Sequence, residues 1–385
     1  MRIYLDHNAG APLRPEARAA MLAVLGPPAN PSSAHREGAR ARSLLEEARA
    51  DVAALVGARA ADVVFTSGAT EANNLALRGA LAAAGRDVGL VTGATEHASV
   101  LETARALERT GVPLAVVSVD GEGRPEVADI VAACDARTAL VSIGLANGEV
   151  GTIAPVRAIA AALRPHGILV HTDAAQAAGR LPVDVGALDA DLVSLSSHKL
   201  GGPAGAGALW VRRGTRLQAL VTGGPQERGF RAGTENLAAV VGFAAAARAA
   251  AREVEDAGAR MAALTERLWD GIRARIPDVV RHGTTAGPRL PNTLNIRIPG
   301  CAGESLLVLL DLAGVAVSLG SACAAGAAEP SHVLRAMGQG DEAARSAVRL
   351  SLGPTTTDEE IDAVVDLLPR LVRDVRARRR AGAAA

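Results

Sequence analysis

The stretch SLSSHKLGGPAG, residues 194–205, contains the single lysine of this 385-residue chain. The sequence has 41 lysines and arginines together, so the other 40 are all arginines. An arginine stays protonated and cannot act as an amine nucleophile, whereas a lysine can lose its proton and condense with a carbonyl compound. A surface charge would have tolerated arginine, so we expect Lys199 to do chemistry.

The segment TSGATE (66–71) follows a short β-branched run, DVVFTS, and opens a helical pattern. The backbone N–H groups of Ala69 and Thr70, with the Thr70 hydroxyl, are therefore predicted to lie at a helix N-terminus, where phosphate binds favourably. An ordinary helix N-cap is the alternative interpretation. The segment by itself does not decide between the two.

Two further segments place polar side chains after predicted strands. His97, in TEHASV, begins a predicted helix, and the chain has only six aromatic residues, so a planar cofactor would be covered mainly by imidazole. Asp173, in HTDAAQ, ends a predicted strand and precedes Gln176 by three residues. A carboxylate at a buried sheet edge is costly unless it meets a cation, and a pyridinium nitrogen is such a cation.

Ser196 and His198 add polar groups beside the lysine. An amine, a carboxylate for a ring nitrogen, a planar cover and a phosphate site are together what pyridoxal phosphate requires. Each feature is weak alone, but all of them follow predicted strands, and sheets of this type bind ligands at the carboxyl ends of their strands. The sequence therefore predicts a pyridoxal phosphate site.

The elements that position these residues are strands and helices in alternation. This alternation predicts an α/β fold with a mainly parallel sheet covered by helices on both faces. A long Ala-rich helix at about 235–275 precedes a second set of such patterns, which predicts a smaller α/β domain. We assign residues 16–260 to a large cofactor-binding domain, and 1–15 with 261–385 to the small domain. Seven segments carry the strand pattern of the large sheet: DVVFTS, VGLVTG, LAVVSVD, ALVSIGLA, ILVHTDA, LVSLSS and GALWVRR.

Composition argues against several classes of function. Forty-one acidic residues balance 41 basic ones, so a role in binding nucleic acid or an acidic membrane has no electrostatic support. The N-terminus lacks a signal-peptide pattern, and no apolar stretch reaches the ~18 residues that span a bilayer. Three distant cysteines, Cys134, Cys301 and Cys323, argue against disulfides and a metal site. We expect a soluble, reduced, cytoplasmic protein without a metal.

Ten stretches in the same order along the chain resemble the cysteine desulfurases of the class V aminotransferase family. The resemblance implies a pyridoxal phosphate-dependent transferase fold of type I and a homodimer. It also implies that L-cysteine is converted to L-alanine, with the sulfur held as a persulfide and passed to a sulfur-acceptor or scaffold protein, as in iron–sulfur cluster assembly. The stretches are YLDHNA, NPSSAH, VFTSGATEANN, TEHASVL, HTDAAQAAGRLPVD, SSHKLGGPAGAGAL, QERGFRAGTEN, GSAC, PSHVLRAMG and RLSLG.

The resemblance also implies roles for particular residues. Lys199 would bind the cofactor covalently, Asp173 would hold its ring nitrogen, and His97 would stack on the ring and relay protons. Arg349 would clamp the substrate carboxylate, with Asn30 nearby. The remaining cofactor contacts would be Gln176 to the ring oxygen and, at the phosphate, Ala69, Thr70, Ser196, His198 and the partner subunit's Thr234.

The same resemblance implies that Cys323 accepts the sulfur. Its surroundings, LGSACAAGAAEPS, are small and turn-prone, which is typical of a loop that can carry a thiol into a site and out again. Cys134 falls in a helical run and Cys301 at a turn that begins the small domain. For these two cysteines we predict a structural role, since free cysteine is often simply buried.

The sequence departs from the family pattern at Gly148, because the family usually reads NNE where this chain reads NGE. One polar contact to the cofactor is therefore expected to be missing or rerouted, and Gly148→Asn is expected to tighten cofactor binding or to shift the absorbance band. Two alternative functions stay open: a selenocysteine lyase or related lyase that does not use Cys323, and a weakened scaffold that binds a sulfur-acceptor partner. The intact set of catalytic residue types argues against the scaffold.

Overall fold

The computed structural model describes residues 2–28, 30–320 and 329–383. The strands in these ranges are β1 (Ile3–Tyr4), β2 (Val63–Thr66), β3 (Gly89–Gly93), β4 (Leu114–Val117), β5 (Thr138–Ser142), β6 (Leu169–Asp173), β7 (Leu192–Ser196), β8 (Gly207–Val211), β9 (Val280–His282), β10 (Thr293–Arg297), β11 (Val315–Ala316) and β12 (Ala347–Ser351). The helices are α1 (Pro15–Val24), α2 (Arg36–Ala54), α3 (Ala69–Ala84), α4 (Ala98–Glu108), α5 (Val127–Ala133), α6 (Val156–Leu163), α7 (Val185–Leu188), α8 (Leu237–Arg275), α9 (Gly303–Leu312), α10 (His332–Ala336), α11 (Asp341–Arg345) and α12 (Asp358–Ala383).

The seven segments predicted to form the large sheet do so, in the order β2-β8-β7-β6-β5-β3-β4. All pairs from β7 to β4 are parallel, whereas β8 is antiparallel to both β7 and β2. Every residue of β2, β3, β7 and β8 is buried. Strands covered on both faces need apolar residues throughout, which explains their near-continuous rather than alternating apolar sequence. The predicted α/β fold with a mainly parallel sheet is confirmed.

The direction of the strands brings several of the predicted site residues to one edge. Because β2 and β7 are both antiparallel to β8, they run in the same direction and end at the same edge as β3 and β6. That edge is the one at which α/β sheets bind ligands. The first turns of α3 and α4 also begin there, directly after β2 and β3.

A second apolar core lies around the three-stranded sheet β12-β10-β9, in which both pairs are antiparallel. The apolar face of α8 divides between the two cores. Residues such as Phe243 and Ala247 pack in the core of the large sheet, whereas Leu264, Leu268 and Ile272 pack against the second core. The change falls near the domain boundary predicted from the sequence, and the exact division at residue 260 stays a prediction.

The N-terminal strand belongs to this second region, since β1 pairs in parallel with β11. Helices α9 and α12 cover the same core through residues such as Leu306 and Leu368. Among the described residues, no helix combines the length and apolar character needed to cross a membrane.

Candidate active site

A cavity of about 680 Å³ lies where β2, β6 and β7 end. Two walls enclose it, one built from the edge of the large sheet and the other from segments far apart in the sequence. The predicted residues that line it are Ala69, Thr70, His97, Asp173, Gln176, Ser196, His198, Lys199 and Arg349. Residues that line it without having been predicted include Asn8, Glu96, Glu149, Ser331 and His332. The structure therefore assembles most of the predicted set around one space.

Lys199 follows β7 in a single 3₁₀ turn, Ser197–Lys199. Its Nζ donates hydrogen bonds to the backbone carbonyl oxygens of Asn8, at 2.5 Å, and Ala9, at 3.0 Å. The N-terminal segment thus fixes the amine at the wall of the cavity. This is the position that an amine needs in order to meet a carbonyl compound bound in the cavity.

Asp173, the last residue of β6, is held by two hydrogen bonds. Its Oδ1 accepts from the backbone N–H of Ala175 at 2.9 Å, and its Oδ2 accepts from Asn73 Nδ2 at 2.7 Å. The same Asn73 amide donates to Ser99 Oγ at 2.8 Å. Because both bonds fix the carboxylate without neutralising its charge, Asp173 can hold a cationic ring nitrogen.

His97 is the N-cap residue of α4, and its Nδ1 accepts from the backbone N–H of Ser99 at 3.1 Å. An Nδ1 that accepts places the proton of the neutral ring on Nε2. Burial, opposed by Asp173 and reinforced by Lys199 and His332, lowers the pKa of His97. The ring is therefore neutral at pH 7, which suits both stacking and proton transfer.

The start of α3 provides the donors of an anion site. The N-cap residue Gly68 has φ +157° and provides no side-chain acceptor for the first-turn N–H groups of the helix. Those of Ala69 and Thr70 border the cavity together with the side chains of Ser196 and His198. Hydroxyls and helix N-terminal amides are the donor set that phosphate prefers.

Taken together, these residues fit pyridoxal phosphate. The cavity offers an amine, a hydrogen-bonded carboxylate, a neutral imidazole and a helix N-terminus, which match the aldehyde, ring nitrogen, ring face and phosphate of that molecule. In the described part of the chain no cluster of three or more histidines, cysteines or acidic residues is arranged to hold a metal ion.

Arg349, on β12, reaches the cavity from the second core. Its Nη2 pairs with Asp6 Oδ1 at 2.8 Å, and its Nη1 donates to the carbonyl oxygen of Gly148 at 3.1 Å. The side chain is 3% exposed, and its Nε–H is buried with no hydrogen-bond partner among the described residues. A substrate carboxylate that binds Arg349 must therefore share the guanidinium with Asp6.

Two acidic side chains, Glu96 and Glu149, border the cavity, and neither forms an ion pair with any residue that the structure describes. Burial raises the pKa of Glu96 to about 8, against the opposing hydrogen bond from the Gly144 N–H to its Oε2 at 2.8 Å. Burial likewise raises the pKa of Glu149 to about 7, opposed by Ser331 and Arg349. Both carboxyl groups therefore hold a proton over part of the neutral range.

Not every predicted residue reaches the cavity in the single chain. Asn30 is exposed between α1 and α2, and its Oδ1 accepts from the backbone N–H of Ser32 at 2.9 Å. Thr234 is also exposed and does not line the cavity. Cys323 lies outside the described residues. The roles assigned to these three residues stay predictions.

The other two cysteines lie away from the cavity. Cys134 directly follows α5 as its C-cap residue, and its thiol donates to the Ile130 carbonyl oxygen at 3.2 Å, while Cys301 is fully buried in the second core. Burial raises the pKa of both thiols, with Asp135 adding to the effect at Cys134. Neither is positioned or ionised as a nucleophile requires.

Comparison with known proteins assigns the family. The aminotransferase class-V model matches residues 3–364. A cysteine desulfurase of Cereibacter sphaeroides is 45% identical over 379 residues, which cover 98% of this chain and 97% of that protein. The chain belongs to the cysteine desulfurases of the class-V aminotransferase family. The prediction made from the ten sequence stretches is confirmed.

Solved structures agree with this assignment. A NifS-like protein superposes with a TM-score of 0.90 at 33% identity, covering 97% of this chain and 100% of that one. The structure of SspA in complex with cysteine superposes with a TM-score of 0.80 at 32% identity, covering 93% of this chain and 100% of that one. The family fold of pyridoxal phosphate-dependent type I is thereby confirmed for this chain.

Several residues of the site were not predicted from the sequence, although they lie within the ten stretches that carry the family resemblance. Asn8 lies in YLDHNA, Asn73 in VFTSGATEANN and Arg180 in HTDAAQAAGRLPVD. Each of them is a polar residue in a stretch that is otherwise apolar or small, and this pattern could have indicated a buried polar contact. Polar residues are usually exposed, however, so the pattern alone does not predict such a contact.

Proposed function

We propose that this protein is a cysteine desulfurase that uses pyridoxal phosphate and Cys323. The overall reaction joins L-cysteine and one enzyme thiol to give L-alanine and an enzyme persulfide. The Cβ–S bond of the substrate breaks and a sulfur–sulfur bond forms on Cys323. Alanine gains one proton net, at Cβ, from the two thiols, and the other thiol proton stays on the persulfide or goes to solvent. The observation that carries the proposal is the placement of Lys199, Asp173 and His97 around one cavity.

The cofactor, when bound, supplies an electron sink for the carbon atoms of the substrate. Lys199 would hold its aldehyde carbon, and Asp173 would hold its ring nitrogen in the protonated form. Thr70, Ser196 and the first-turn amides of α3 would bind the phosphate. These assignments match the chemistry of each donor and acceptor to one part of the cofactor.

The protein residues also handle the protons. A neutral His97 carries its proton on Nε2 and can give up that proton, and later take it back, while Nδ1 stays bonded to the Ser99 N–H. Asn73 donates hydrogen bonds to both Asp173 and Ser99, and the Ser99 N–H donates to His97. These bonds fix the distance between the Asp173 carboxylate and the His97 imidazole. Fixed spacing between a binding group and a proton carrier is what preorganised catalysis requires.

Arg349 is the proposed anchor of the substrate carboxylate. It is a buried cation at the cavity wall, and guanidinium groups bind carboxylates strongly. L-cysteine as substrate is supported by the similarity to SspA, which was solved in complex with cysteine. We further propose a cytoplasmic homodimer in which the partner subunit's Thr234 completes the phosphate site, and a sulfur-acceptor protein that receives the persulfide sulfur.

The test is a set of three cysteine variants loaded with pyridoxal phosphate and given L-cysteine with a reducing thiol. The parent is expected to release alanine and sulfide in equal amounts. Cys323→Ala is expected to keep bound cofactor and lose at least ~100-fold in alanine release, because it lacks the nucleophile. The matched controls Cys134→Ala and Cys301→Ala should stay close to the parent wherever they fold.

The outcomes separate the alternatives. Parent-level alanine release from L-cysteine by Cys323→Ala would contradict sulfur transfer through that residue and favour a lyase. A parent that binds cofactor but releases no alanine would contradict the enzyme itself and favour the scaffold.

A further inference from the structure

Arg180 is a buried cation that the mechanism above does not use. It lies seven residues after the end of β6 and is 5% exposed. Within the described ranges no carboxylate lies at ion-pair distance from it, and burial lowers its pKa to about 10, so it stays protonated at pH 7. A buried charge without a counter-ion is costly, so some other requirement must keep it there.

Among the described residues, Arg180 donates four hydrogen bonds, all of them to carbonyl oxygens around the cavity. Its Nη1 donates to the backbone oxygen of Gln176 at 2.7 Å and to the side-chain Oε1 of Gln176 at 2.8 Å. Its Nη2 donates to the backbone oxygens of His7 at 3.0 Å and Lys199 at 3.2 Å. One guanidinium therefore joins the N-terminal segment, the turn after β6 and the lysine turn.

The contact with Gln176 fixes which end of its carboxamide faces the cavity. A guanidinium only donates, so the atom beside Arg180 must be Oε1 and the NH₂ group must point the other way. That NH₂ donates to the Asn8 carbonyl oxygen at 3.0 Å, the same oxygen that accepts from Lys199 Nζ. Gln176 thus presents N–H donors, and no acceptor, beside the lysine amine.

The Gln176 carboxamide occupies space that is open only because residue 148 is a glycine. A Cβ atom at residue 148 would lie 2.7 Å from Gln176 Nε2 and 2.8 Å from its Cδ. Real Cβ atoms do not approach so closely, so a side chain at 148 and the present position of Gln176 exclude each other. Gln176 can therefore hold its present position, bonded to Arg180, only while residue 148 has no side chain.

We propose that Arg180 is a positioning residue that holds the Gln176 carboxamide as a hydrogen-bond donor to the ring oxygen of the cofactor, in the space that Gly148 leaves. The contact to the ring oxygen that the family resemblance implies for Gln176 is thereby held in place, although residue 148 offers no side chain of its own. The inference depends on the proposed function, because the ring oxygen belongs to pyridoxal phosphate. Arg180 itself acts through Gln176 and does not touch the reacting atoms.

The experiment measures binding of pyridoxal phosphate to the cofactor-free protein without L-cysteine. Arg180→Met is expected to weaken cofactor binding about tenfold, the usual effect of losing a hydrogen bond to a charged group. It should also raise the pH midpoint of the visible absorbance band, because a ring oxygen without donors holds a shared proton more tightly. Arg180→Lys keeps the charge but not the planar fork, so its effect should be intermediate.

A double-mutant cycle with Gln176→Ala separates positioning from mere stability. In the Gln176→Ala background, Arg180→Met should weaken cofactor binding by less than about twofold, since its target is gone. A loss of about tenfold in both backgrounds would overturn the proposal, as would unchanged binding and midpoint in Arg180→Met alone. If Arg180→Met fails to fold, the same cycle with Arg180→Lys decides.

Arg289→Met is the matched control. Arg289 is also a largely buried guanidinium with its pKa lowered to about 10 by burial, and it also bonds backbone carbonyl oxygens, of Thr284 and Thr293, but it does not line the cavity. It should lower thermal stability without moving the absorbance midpoint. An equal midpoint shift in Arg289→Met would contradict a specific role for Arg180. If the parent protein takes up no pyridoxal phosphate, the proposed function is wrong as well. If only the role of Arg180 is wrong, the parent protein still shows the visible absorbance band of the bound cofactor.

Discussion

The two walls of the cavity are built in different ways. The sheet wall consists of Thr70, His97, Asp173, Ser196 and Lys199, which follow strands of one sheet or begin the helices after them. The loop wall consists of Asn8, Glu149, Ser331, His332 and Arg349, which meet through contacts between residues as far as 343 positions apart.

The difference between the walls lies in their electrostatics as well as their origin. In the sheet wall, the bonds of Asp173 and His97 to Asn73 and Ser99 fix each polar group in one orientation. In the loop wall, both carboxyl oxygens of Glu149 are buried and neither has a well-formed hydrogen bond in the described part of the chain, although Ser331 lies near enough to lower the pKa of the carboxyl group. A rigid wall suits a resident cofactor, whereas a wall with unsatisfied polar groups suits a substrate that arrives and leaves. Variants in the sheet wall should therefore affect the cofactor, and variants in the loop wall should affect the substrate.

The largest effect is expected for Lys199→Arg, in the sheet wall. Arginine keeps the positive charge and donors for the Asn8 and Ala9 carbonyl oxygens, but it cannot bind an aldehyde covalently. Turnover of L-cysteine should fall by about 10³-fold or more. Steady-state alanine release measures it, and activity within tenfold of the parent would remove Lys199 from the mechanism.

Asp173→Asn should have the next largest effect. An amide preserves the shape but keeps only one acceptor oxygen, so it loses one of the two hydrogen bonds and also the charge that stabilises a protonated ring nitrogen. We expect turnover to fall by about 10²-fold to 10³-fold with the cofactor still bound through Lys199. Cofactor content is measured by absorbance and turnover by alanine release, both on the same sample. The two measurements distinguish a loss of cofactor binding from a loss of turnover rate. A variant with full turnover would show that the ring nitrogen needs no anion here.

Arg349→Lys should affect the loop wall and the substrate. A lysine retains the charge but cannot pair with Asp6, the Gly148 carbonyl and a carboxylate at once, since it lacks the planar fork. The KM for L-cysteine should rise about 10-fold to 100-fold with unchanged cofactor content. If cofactor content fell instead, the assignment of the two walls would be wrong.

Gly148→Asn should have a smaller effect, and the structure reverses its expected direction. The sequence suggested that this change would tighten cofactor binding, but a Cβ there collides with Gln176. We now expect cofactor binding to weaken by about tenfold or less, because Gln176 must leave its bond to Arg180. Titration of the cofactor-free variant measures this, and tighter binding would show that the new amide replaces Gln176 fully.

Glu96→Gln should have the smallest effect, visible in stability rather than in rate. The pKa of Glu96 is raised from its usual 4.5 to about 8 in the folded chain, so the folded state retains a proton that the unfolded state has lost. Stability contributed by the protonated form is therefore lost as pH rises from about 4.5 through 8, at no more than about 1.4 kcal/mol per pH unit.

Comparison of the parent with Glu96→Gln from pH 6.5 to 8 isolates this effect, because the other groups that titrate there, such as Glu149 with its pKa raised to about 7, are the same in both proteins. The buried histidines His7, His171 and His198 have pKa values lowered to about 4 by burial, so they are neutral in the folded state throughout the window. Denaturant unfolding at several pH values should show the parent losing stability across the window faster than Glu96→Gln. Parallel curves for the two proteins would contradict a protonated Glu96.

The sequence predicted the sheet wall well and the loop wall poorly, and the reason is physical. Asp173 and His97 follow apolar runs that can only be buried strands, and the rules for parallel sheets then bring their ends together. Asn8 instead meets Thr293 and Asn292, contacts that depend on how two cores pack and leave no local pattern. Arg180 escaped because a lone arginine is normally exposed. Only Arg349 was found in the loop wall, through family resemblance.

The proposed activity requires above all that Lys199 binds the cofactor, and borohydride reduction tests this directly. The loaded parent should lose its visible band on reduction, and peptide mass spectrometry should find the cofactor fixed to the Lys199 peptide. Lys199→Arg should fix none. The control Arg213→Lys, which adds an exposed lysine, should fix cofactor at Lys199 alone. Cofactor retained by Lys199→Arg with an unchanged band, or found at residue 213 as readily as at 199, would contradict the account.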